Sequence, residues 1–84
     1  MKIIREIECY FIDSDEMICS FELNSFNLDK ARDEWEIGDD KMMYDVYEIK
    51  STNQKEFIKE HIKGMTINFD NVNAQWFLSC STED

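Results

Sequence analysis

Residues 2–23 read KIIREIECYFIDSDEMICSFEL, and this stretch decides the fold because apolar and polar side chains alternate along both of its halves. Glu6 and Glu8 fall between apolar odd-numbered positions, and Ser20 and Glu22 do the same in the second half. A repeat of two residues is that of a half-buried β-strand. We therefore predict a strand over residues 2–12 and another over 17–23, with these odd-numbered positions facing the core: Ile3, Ile7, Cys9, Phe11, Met17, Cys19, Phe21 and Leu23.

The turn-rich residues 13–16 separate the two strands, which predicts a β-hairpin. Matching the apolar faces gives an antiparallel register that pairs Phe11 with Met17, Cys9 with Cys19, and Ile7 with Phe21. The chain has three cysteines, an odd number without a C-x-x-C pair, so it offers neither a disulfide framework nor a zinc site. We expect Cys9, Cys19 and Cys80 to be buried thiols in a reducing compartment.

Helix and strand signals continue along the rest of the chain. Asn27 is a candidate N-cap for a helix that Gly38 would end, and Ser51 with Gln54 forms a capping box for a second helix that would end at Gly64. We predict a third strand over Met42–Ile49 and a closing hairpin of residues 65–69 and 74–81 around a turn at 70–73. The prediction is a single α+β domain over residues 1–84, with a mostly antiparallel sheet, the order ββαβαββ, and two helices packed on one face.

The sheet face away from the helices should then be open to solvent. The third strand has two alternatives, because Met42, Tyr44 and Val46 compete with Met43, Tyr47 and Ile49 for the core. We expect Trp35 and Trp76 on the core side. Taking Tyr47 as outward, the predicted open face is both acidic and aromatic and comprises Glu6, Glu8, Tyr10, Ser20, Glu22, Asp45, Tyr47, Gln75, Phe77 and Ser79.

The chain carries a formal net charge of -10 on 84 residues. Five carboxylates lie between Asp33 and Asp40, around Trp35 and Ile37, with no basic residue among them. The second predicted helix is close to neutral, because Lys55, Lys59 and Lys63 offset Glu56 and Glu60. Such a field repels nucleic acid and anionic membrane, and it attracts a basic protein surface. We therefore predict a basic protein partner, no nucleic-acid ligand and no membrane binding.

The sequence contains few residues whose type and spacing are typical of a catalytic or metal-binding site. His61 lies near the carboxyl end of the second predicted helix, where a histidine has a structural role more often than a catalytic one. The acidic residues at 13–16 and 39–40 lack the spacing of an EF-hand loop. We therefore predict no cofactor, no metal site and no enzymatic activity. No apolar run reaches the length of a signal-peptide core or a membrane span, so we expect a cytoplasmic protein.

Residues 39–49, DDKMMYDVYEI, together with the opening hairpin, the capped helix and the closing WFLSC at 76–80, give the chain a family likeness. It resembles the small acidic immunity proteins of contact-dependent growth inhibition and related polymorphic toxin systems. The resemblance implies a protein, monomeric when free, that binds the carboxy-terminal toxin domain of a cognate effector one-to-one and covers its active site or substrate groove. Toxins of this kind are frequently nucleases, with RNA or tRNA as the expected substrate, and a nuclease presents a basic surface to phosphates.

Acidic and aromatic side chains would make the contacts in such a complex. The predicted partner-binding residues are Glu6, Glu8, Tyr10, Glu22, Asp33, Glu34, Glu36, Asp39, Asp40, Asp45, Tyr47 and Phe77. Two other classes of function stay open at this point. The chain could mimic DNA and inhibit a nucleic-acid-binding protein, or it could be a small ligand-binding domain or enzyme with a cleft lined by Asp45, His61 and Tyr47.

Overall fold

The computed structural model describes residues 2–23, 25–62, 67, 69 and 73–83. It is an α+β domain with a four-stranded antiparallel sheet in the order β2-β1-β4-β3, which confirms the predicted fold class. The elements in chain order are β1 (Lys2–Phe11), β2 (Met17–Glu22), α1 (Leu28–Glu34), β3 (Tyr47–Glu48), α2 (Thr52–Glu60) and β4 (Ala74–Glu83). Neither of these helices is long and apolar enough to cross a membrane.

β1 lies at the centre of the sheet and pairs along its whole length with β4, from Lys2 opposite Glu83 to Phe11 opposite Ala74. On its other side β1 pairs with β2, and the predicted pairs of Ile7 with Phe21 and Cys9 with Cys19 are confirmed. The third predicted pair is wrong, because Met17 lies opposite Tyr10 rather than Phe11. The register shifts there because Ile18 is an extra residue on β2, which forms a β-bulge beside the two cysteines.

The core lies between one face of the sheet and the two helices. Ile7 and Leu78 supply the centre of the sheet side, and Ala31, Phe57 and Ile58 supply the helical side. Phe57 is 1% exposed and makes edge-on ring contacts with Phe26 and Trp35, at centroid distances of 5.7 Å and 5.5 Å. The aromatic residues thus join α1, α2 and the segment before α1.

α2 begins as its sequence predicts. The Ser51 Oγ accepts a hydrogen bond from the Gln54 backbone N–H at 3.1 Å, and the Gln54 Oε1 accepts one from the Ser51 backbone N–H at 3.0 Å. This is the predicted capping box. The Lys30 Nζ lies 2.6 Å from the Glu60 Oε2 and ties α1 to α2. Gly64 and Lys63 lie outside the described residues.

α1 begins at the predicted N-cap, where the Asn27 Oδ1 accepts a hydrogen bond from the Lys30 N–H at 3.1 Å. Its predicted end at Gly38 is wrong. Glu36 adopts a left-handed conformation with φ 51°, its N–H donates to the Asp33 carbonyl, and the Ile37 N–H donates to the Arg32 carbonyl at 2.9 Å. These are the two bonds of a Schellman motif, so Glu36 occupies the position that glycine usually fills.

We expect Glu36→Gly to raise the free energy of unfolding by about 0.5–1 kcal/mol, because glycine adopts the left-handed conformation without the penalty that a Cβ imposes. Gly38→Ala is the matched control, since a Cβ at Gly38 meets nothing within 4 Å. Urea unfolding followed by circular dichroism measures both variants. A loss of stability in Gly38→Ala with no gain in Glu36→Gly would show that Gly38 ends the helix after all.

Three further expectations need correction or fall outside the described residues. The third strand was predicted over Met42–Ile49, but β3 comprises only Tyr47–Glu48, and residues 42–46 belong to the loop before it. Cys9 is buried, but Cys80 is half-buried and Cys19 is exposed. Cys19 is exposed because β2 is an edge strand whose residues 17–20 are all exposed. Apart from Ile67 and Phe69, the predicted strand over 65–69 and the turn at 70–72 lie outside the described residues.

Candidate protein-interaction surface

The sheet face opposite the helices carries three rows of side chains that run across neighbouring strands. Glu22, Glu6 and Ser79 form the first row, because Glu6 pairs with Glu22 on β2 and with Ser79 on β4. The second row is Ser20, Glu8, Phe77 and Glu48, and the third is Met17, Tyr10 and Gln75. We call these ten residues the open face.

An aromatic pair lies within the open face. The rings of Tyr10 and Phe77 meet edge to face, with centroids 5.8 Å apart, and the Tyr10 hydroxyl donates a hydrogen bond to the Glu8 Oε2 at 3.1 Å. Burial against its neighbours, followed by that hydrogen bond, raises the pKa of Tyr10, so its hydroxyl stays protonated as a donor. The face thus combines fixed aromatic rings with carboxylates, a combination that suits a protein partner.

Glu6 and Glu22 lie directly opposite each other on adjacent strands. Like charges in that arrangement destabilise a sheet. Within the described part of the chain, neither these two side chains nor Glu8 lies within ion-pair distance of a lysine or arginine, whereas Glu48 has Lys50 at 3.6 Å. Among the described residues, the negative charge of Glu6, Glu8 and Glu22 on the open face is therefore not offset by an ion pair.

The predicted partner-binding residues divide between two surfaces. Glu6, Glu8, Tyr10, Glu22 and Phe77 come together on the open face. The others belong to α1, to the loop that follows it and to the start of β3, all on the helical side of the sheet: Asp33, Glu34, Glu36, Asp39, Asp40, Asp45 and Tyr47.

The predicted outward placement of Asp45 and Tyr47 is wrong. Tyr47 pairs with the buried Leu78 and packs against the core, and Asp45 lies in the loop before β3. The neighbouring Glu48 is on the open face instead, opposite Phe77. Of the two alternatives for the third strand, the one with Met43, Tyr47 and Ile49 on the core side agrees with the structure.

Asp40 organises the loop between α1 and β3. Its Oδ1 accepts the Tyr44 backbone N–H at 3.0 Å, and its Oδ2 accepts the Asp45 N–H at 2.9 Å and the Tyr47 hydroxyl at 2.6 Å. The Tyr47 hydroxyl, followed by the N–H groups of Asp45 and Tyr44, lowers the pKa of Asp40. Burial, followed by its bond to Asp40, raises the pKa of Tyr47 to about 12. Both oxygens of Asp40 are thus engaged within its own loop.

Arg5 fastens the same loop to the sheet. This side chain is only 7% exposed, on the core side of β1, and its guanidinium donates to the Met43 carbonyl at 2.5 Å and to the Met42 carbonyl at 2.6 Å. Met43 is buried and has φ 52°, so an unfavourable backbone conformation is held there by its surroundings. The sequence pattern did not predict this role, because a charged residue interrupts the apolar positions of β1.

Residues 4–79 match a family model described as a domain of unknown function, DUF7683. This range includes the open face and the loop between α1 and β3 that Arg5 and Asp40 hold in place. The chain belongs to the DUF7683 family. A search of curated proteins and a search of solved structures found no significant match. The family description names no activity or ligand, so the structure of the DUF7683 domain itself is the basis for a functional proposal.

His61 has a structural environment in this DUF7683 domain. Its ring lies 4.2 Å from that of Phe57, its Nδ1 lies 2.7 Å from the Phe57 carbonyl, and its Nε2 accepts the Asn27 N–H at 3.2 Å. Both ring nitrogens thus contact backbone groups, whereas Asp45 and Tyr47 cluster around Asp40. The three residues of the alternative catalytic cleft therefore contact different parts of the fold.

Other chemistry is sparse in the part of the chain that the structure describes. No group of three histidine, cysteine or acidic side chains there could hold a metal ion. A depression of about 310 Å³ is lined by Tyr44, Cys80, Ser81 and Thr82. These described lining residues include neither a carboxylate nor a histidine.

We expect Tyr47→Phe to reduce stability at neutral pH, because it removes the strongest partner of the Asp40 carboxylate. A carboxyl group with a lowered pKa in the folded state stabilises the fold above its unfolded pKa of about 3.9, and this contribution is lost as the pH falls through the folded pKa. The stability gap between parent and Tyr47→Phe should therefore close below about pH 4.

Urea unfolding between neutral and strongly acidic pH measures that gap. Tyr44→Phe is the matched control, since the Tyr44 side chain is 48% exposed. This control should follow the parent at every pH. A gap for Tyr47→Phe that stayed constant on acidification would mean that Tyr47 stabilises the loop by packing alone.

Proposed function

We propose that this DUF7683 protein is an immunity protein that binds a cognate bacterial toxin domain one-to-one and blocks its basic active site or substrate groove. The toxin domain is the carboxy-terminal part of a larger effector and is a nuclease that cleaves RNA. Inhibition is stoichiometric and involves no catalytic turnover by the immunity protein. The protein is cytoplasmic, where the toxin would act.

The composition of the open face carries this proposal. Glu6, Glu8 and Glu22 are beyond ion-pair distance of any lysine or arginine among the described residues, and they share the open face with the Tyr10–Phe77 pair. A basic partner surface would neutralise these carboxylates and remove the repulsion between Glu6 and Glu22. The aromatic rings would form the dry centre of such an interface, where most binding energy resides.

The net charge of -10 adds a kinetic advantage. Opposite charges on two proteins raise the association rate by orders of magnitude at low ionic strength. A nuclease groove is basic because it holds phosphates, so an acidic face competes with RNA for the same groove. An immunity protein needs fast association, because free toxin damages the cell before the complex forms.

The experiment is to express the carboxy-terminal domain of the large protein encoded immediately upstream, as a catalytically impaired variant, and titrate it with this chain by calorimetry. We expect a one-to-one complex with nanomolar affinity. A parallel assay adds the chain to the active toxin domain and follows cleavage of total RNA. We expect cleavage to stop at one equivalent of the chain.

Two outcomes would contradict the proposal. If neither the upstream domain nor the toxin domains of related effectors bound, the immunity function would fail. If the chain instead bound several unrelated basic proteins with similar micromolar affinity, DNA mimicry would be the better interpretation, because mimicry predicts little selectivity among nucleic-acid-binding proteins.

A further inference from the structure

Cys9 and Cys19 lie directly opposite each other on β1 and β2. The Leu23 N–H donates to the Arg5 carbonyl at 2.8 Å, so every second pair from there, including Cys9 with Cys19, is of the hydrogen-bonded type. Cα atoms of such a pair are about 5.5 Å apart, which is inside the range of roughly 4.4–6.8 Å that disulfides span. The Cys19 thiol is also near enough to contribute to the raised pKa of Cys9.

We propose that Cys9 and Cys19 are a thiol modification site that low-molecular-weight disulfides convert reversibly into a cross-strand disulfide. The sheet brings the two sulfurs together before any oxidation. Cys19 is exposed, and Cys9 is 2% exposed beneath it. An oxidant from solution therefore reaches Cys19 first, so Cys19 reacts in the first step and Cys9 in the second.

The Cys19 thiolate attacks one sulfur of the small disulfide, forms a mixed disulfide and releases one small thiolate. Cys9 then loses its proton to solvent, and its thiolate attacks the Cys19 sulfur and releases the second small thiolate. Two protein thiols are oxidised and one small disulfide is reduced to two thiols. Burial, with a contribution from Cys19, raises the pKa of Cys9 to about 11, which makes the second step the slower one at neutral pH.

Strain makes this bond reversible, and the β-bulge at Ile18 allows it to form. A hydrogen-bonded cross-strand position separates the Cβ atoms more than a relaxed disulfide prefers, so the bond is strained and easily reduced. The bulge bends β2 beside Cys19 and gives the strand local freedom to close that gap. The disulfide would then fix β2, an edge of the open face, to the centre of the sheet.

Charge around the site selects among oxidants. The net charge of -10 repels anionic oxidised glutathione and attracts cationic cystamine. We expect cystamine to oxidise the folded chain at least about tenfold faster than oxidised glutathione at low salt, with the difference shrinking as salt is added.

The test incubates the full folded chain with each oxidant, alkylates the remaining thiols and analyses tryptic peptides by mass spectrometry. We expect the peptide of residues 6–30, which holds both cysteines, to be lighter by two hydrogen atoms and resistant to alkylation until a reductant is added. The peptide containing Cys80 should be alkylated. Cys80→Ser should behave as the parent, and Cys19→Ser should not form the product.

Three results would overturn the proposal. A mixed disulfide at Cys19 that never resolves would show that Cys9 does not react, and a dimer linked through Cys19 would show that the exposed thiol reacts between molecules. A bond to Cys80 would show that the strand register does not direct the pairing. The same reaction in urea should yield mixed pairings that include Cys80, which shows whether the folded sheet is what selects the bond.

Discussion

We expect Arg5→Met to lower the free energy of unfolding by about 3 kcal/mol, because the Arg5 guanidinium is a buried charge that makes two hydrogen bonds to carbonyls of the loop before β3. Hydrogen bonds from a charged donor contribute about 1.5–3 kcal/mol each. The guanidinium also lies over the Phe26 ring, 4.7 Å from its centroid. Methionine keeps much of the side-chain length and leaves both carbonyls without that donor.

Urea unfolding monitored by tryptophan fluorescence measures the loss. Lys2→Met is the matched control, since it removes the same charge from an exposed position on the same strand, and it should stay within about 0.5 kcal/mol of the parent. Arg5→Lys should fall between the two, because an ammonium group cannot reproduce the fork of the guanidinium.

Hydrogen exchange locates the effect within the molecule. In Arg5→Met, the amides of Tyr44 and Asp45 should exchange faster, because their acceptor Asp40 belongs to the loop that Arg5 fastens. Exchange in the β1–β4 ladder should rise only with the loss of global stability. If the loop amides stayed protected while Arg5→Met matched Lys2→Met in stability, the loop would be held by Asp40 and Met43 packing instead.

The opening hairpin could be predicted from the sequence because its signals are local. Alternation of apolar and polar residues from Glu6 to Cys9 and from Cys19 to Glu22 predicts that Ile7 and Cys9 face the core, and these two residues set the register with β2 on one side of the bulge. The capping box at Ser51 and the N-cap at Asn27 are also local patterns with few alternatives. Their predicted positions agree with the structure for that reason.

The loop before β3 could not be predicted in the same way. Its residues, including Tyr44 and Val46, have high strand propensity, yet Met43 adopts a left-handed conformation that no pattern of this kind anticipates. That conformation depends on Arg5 and Asp40, which come from distant and neighbouring parts of the chain, respectively. A tertiary contact of this kind overrides the strand propensity of the loop residues, and it produces no periodic pattern in the sequence from which it could be predicted.

The candidate surface was predictable only in part. Glu6, Glu8 and Tyr10 followed from the alternation of β1, but the pairing of β1 with β4, which brings Phe77 beside Tyr10, depends on long-range strand order. The acidic run at 33–40 stands out most in the sequence. It lies on α1 and in the loop that follows, where Asp40 accepts three hydrogen bonds while Asp33 and Asp39 are exposed to solvent. The run therefore combines charge that stabilises the fold with charge that a partner could contact.

We expect charge reversal at Glu6 and Glu22 together to weaken binding of the proposed toxin domain roughly 100-fold, because lysines would then face the basic groove proposed for that domain, and like charges across an interface cost several kcal/mol. The design leaves stability nearly unchanged, because a Lys–Lys pair replaces a Glu–Glu pair at the same cross-strand position. Calorimetry and stopped-flow kinetics with the toxin domain measure affinity and association rate.

Asp33→Lys with Asp39→Lys is the matched control. It changes the net charge by the same amount, from -10 to -6, with both substitutions at exposed positions on the helical side. Because long-range steering depends on total charge, both double variants should associate more slowly at low salt. Only the open-face variant should dissociate faster, since dissociation reports contacts within the interface. The opposite result would move the interface to α1 and the loop that follows it.

Glu22→Lys alone separates a functional role of the open face from a structural one. It converts the like-charge pair with Glu6 into an opposite-charge pair, so it should raise the free energy of unfolding by about 0.5 kcal/mol while it weakens toxin binding. If one substitution raises stability and weakens binding, the repulsion between Glu6 and Glu22 lowers the stability of the free protein but serves the binding of a partner. Binding sites commonly show this trade-off between stability and function. If Glu22→Lys raised stability and left affinity unchanged, β2 would lie outside the interface, and the contact would be confined to β1, β4 and Glu48.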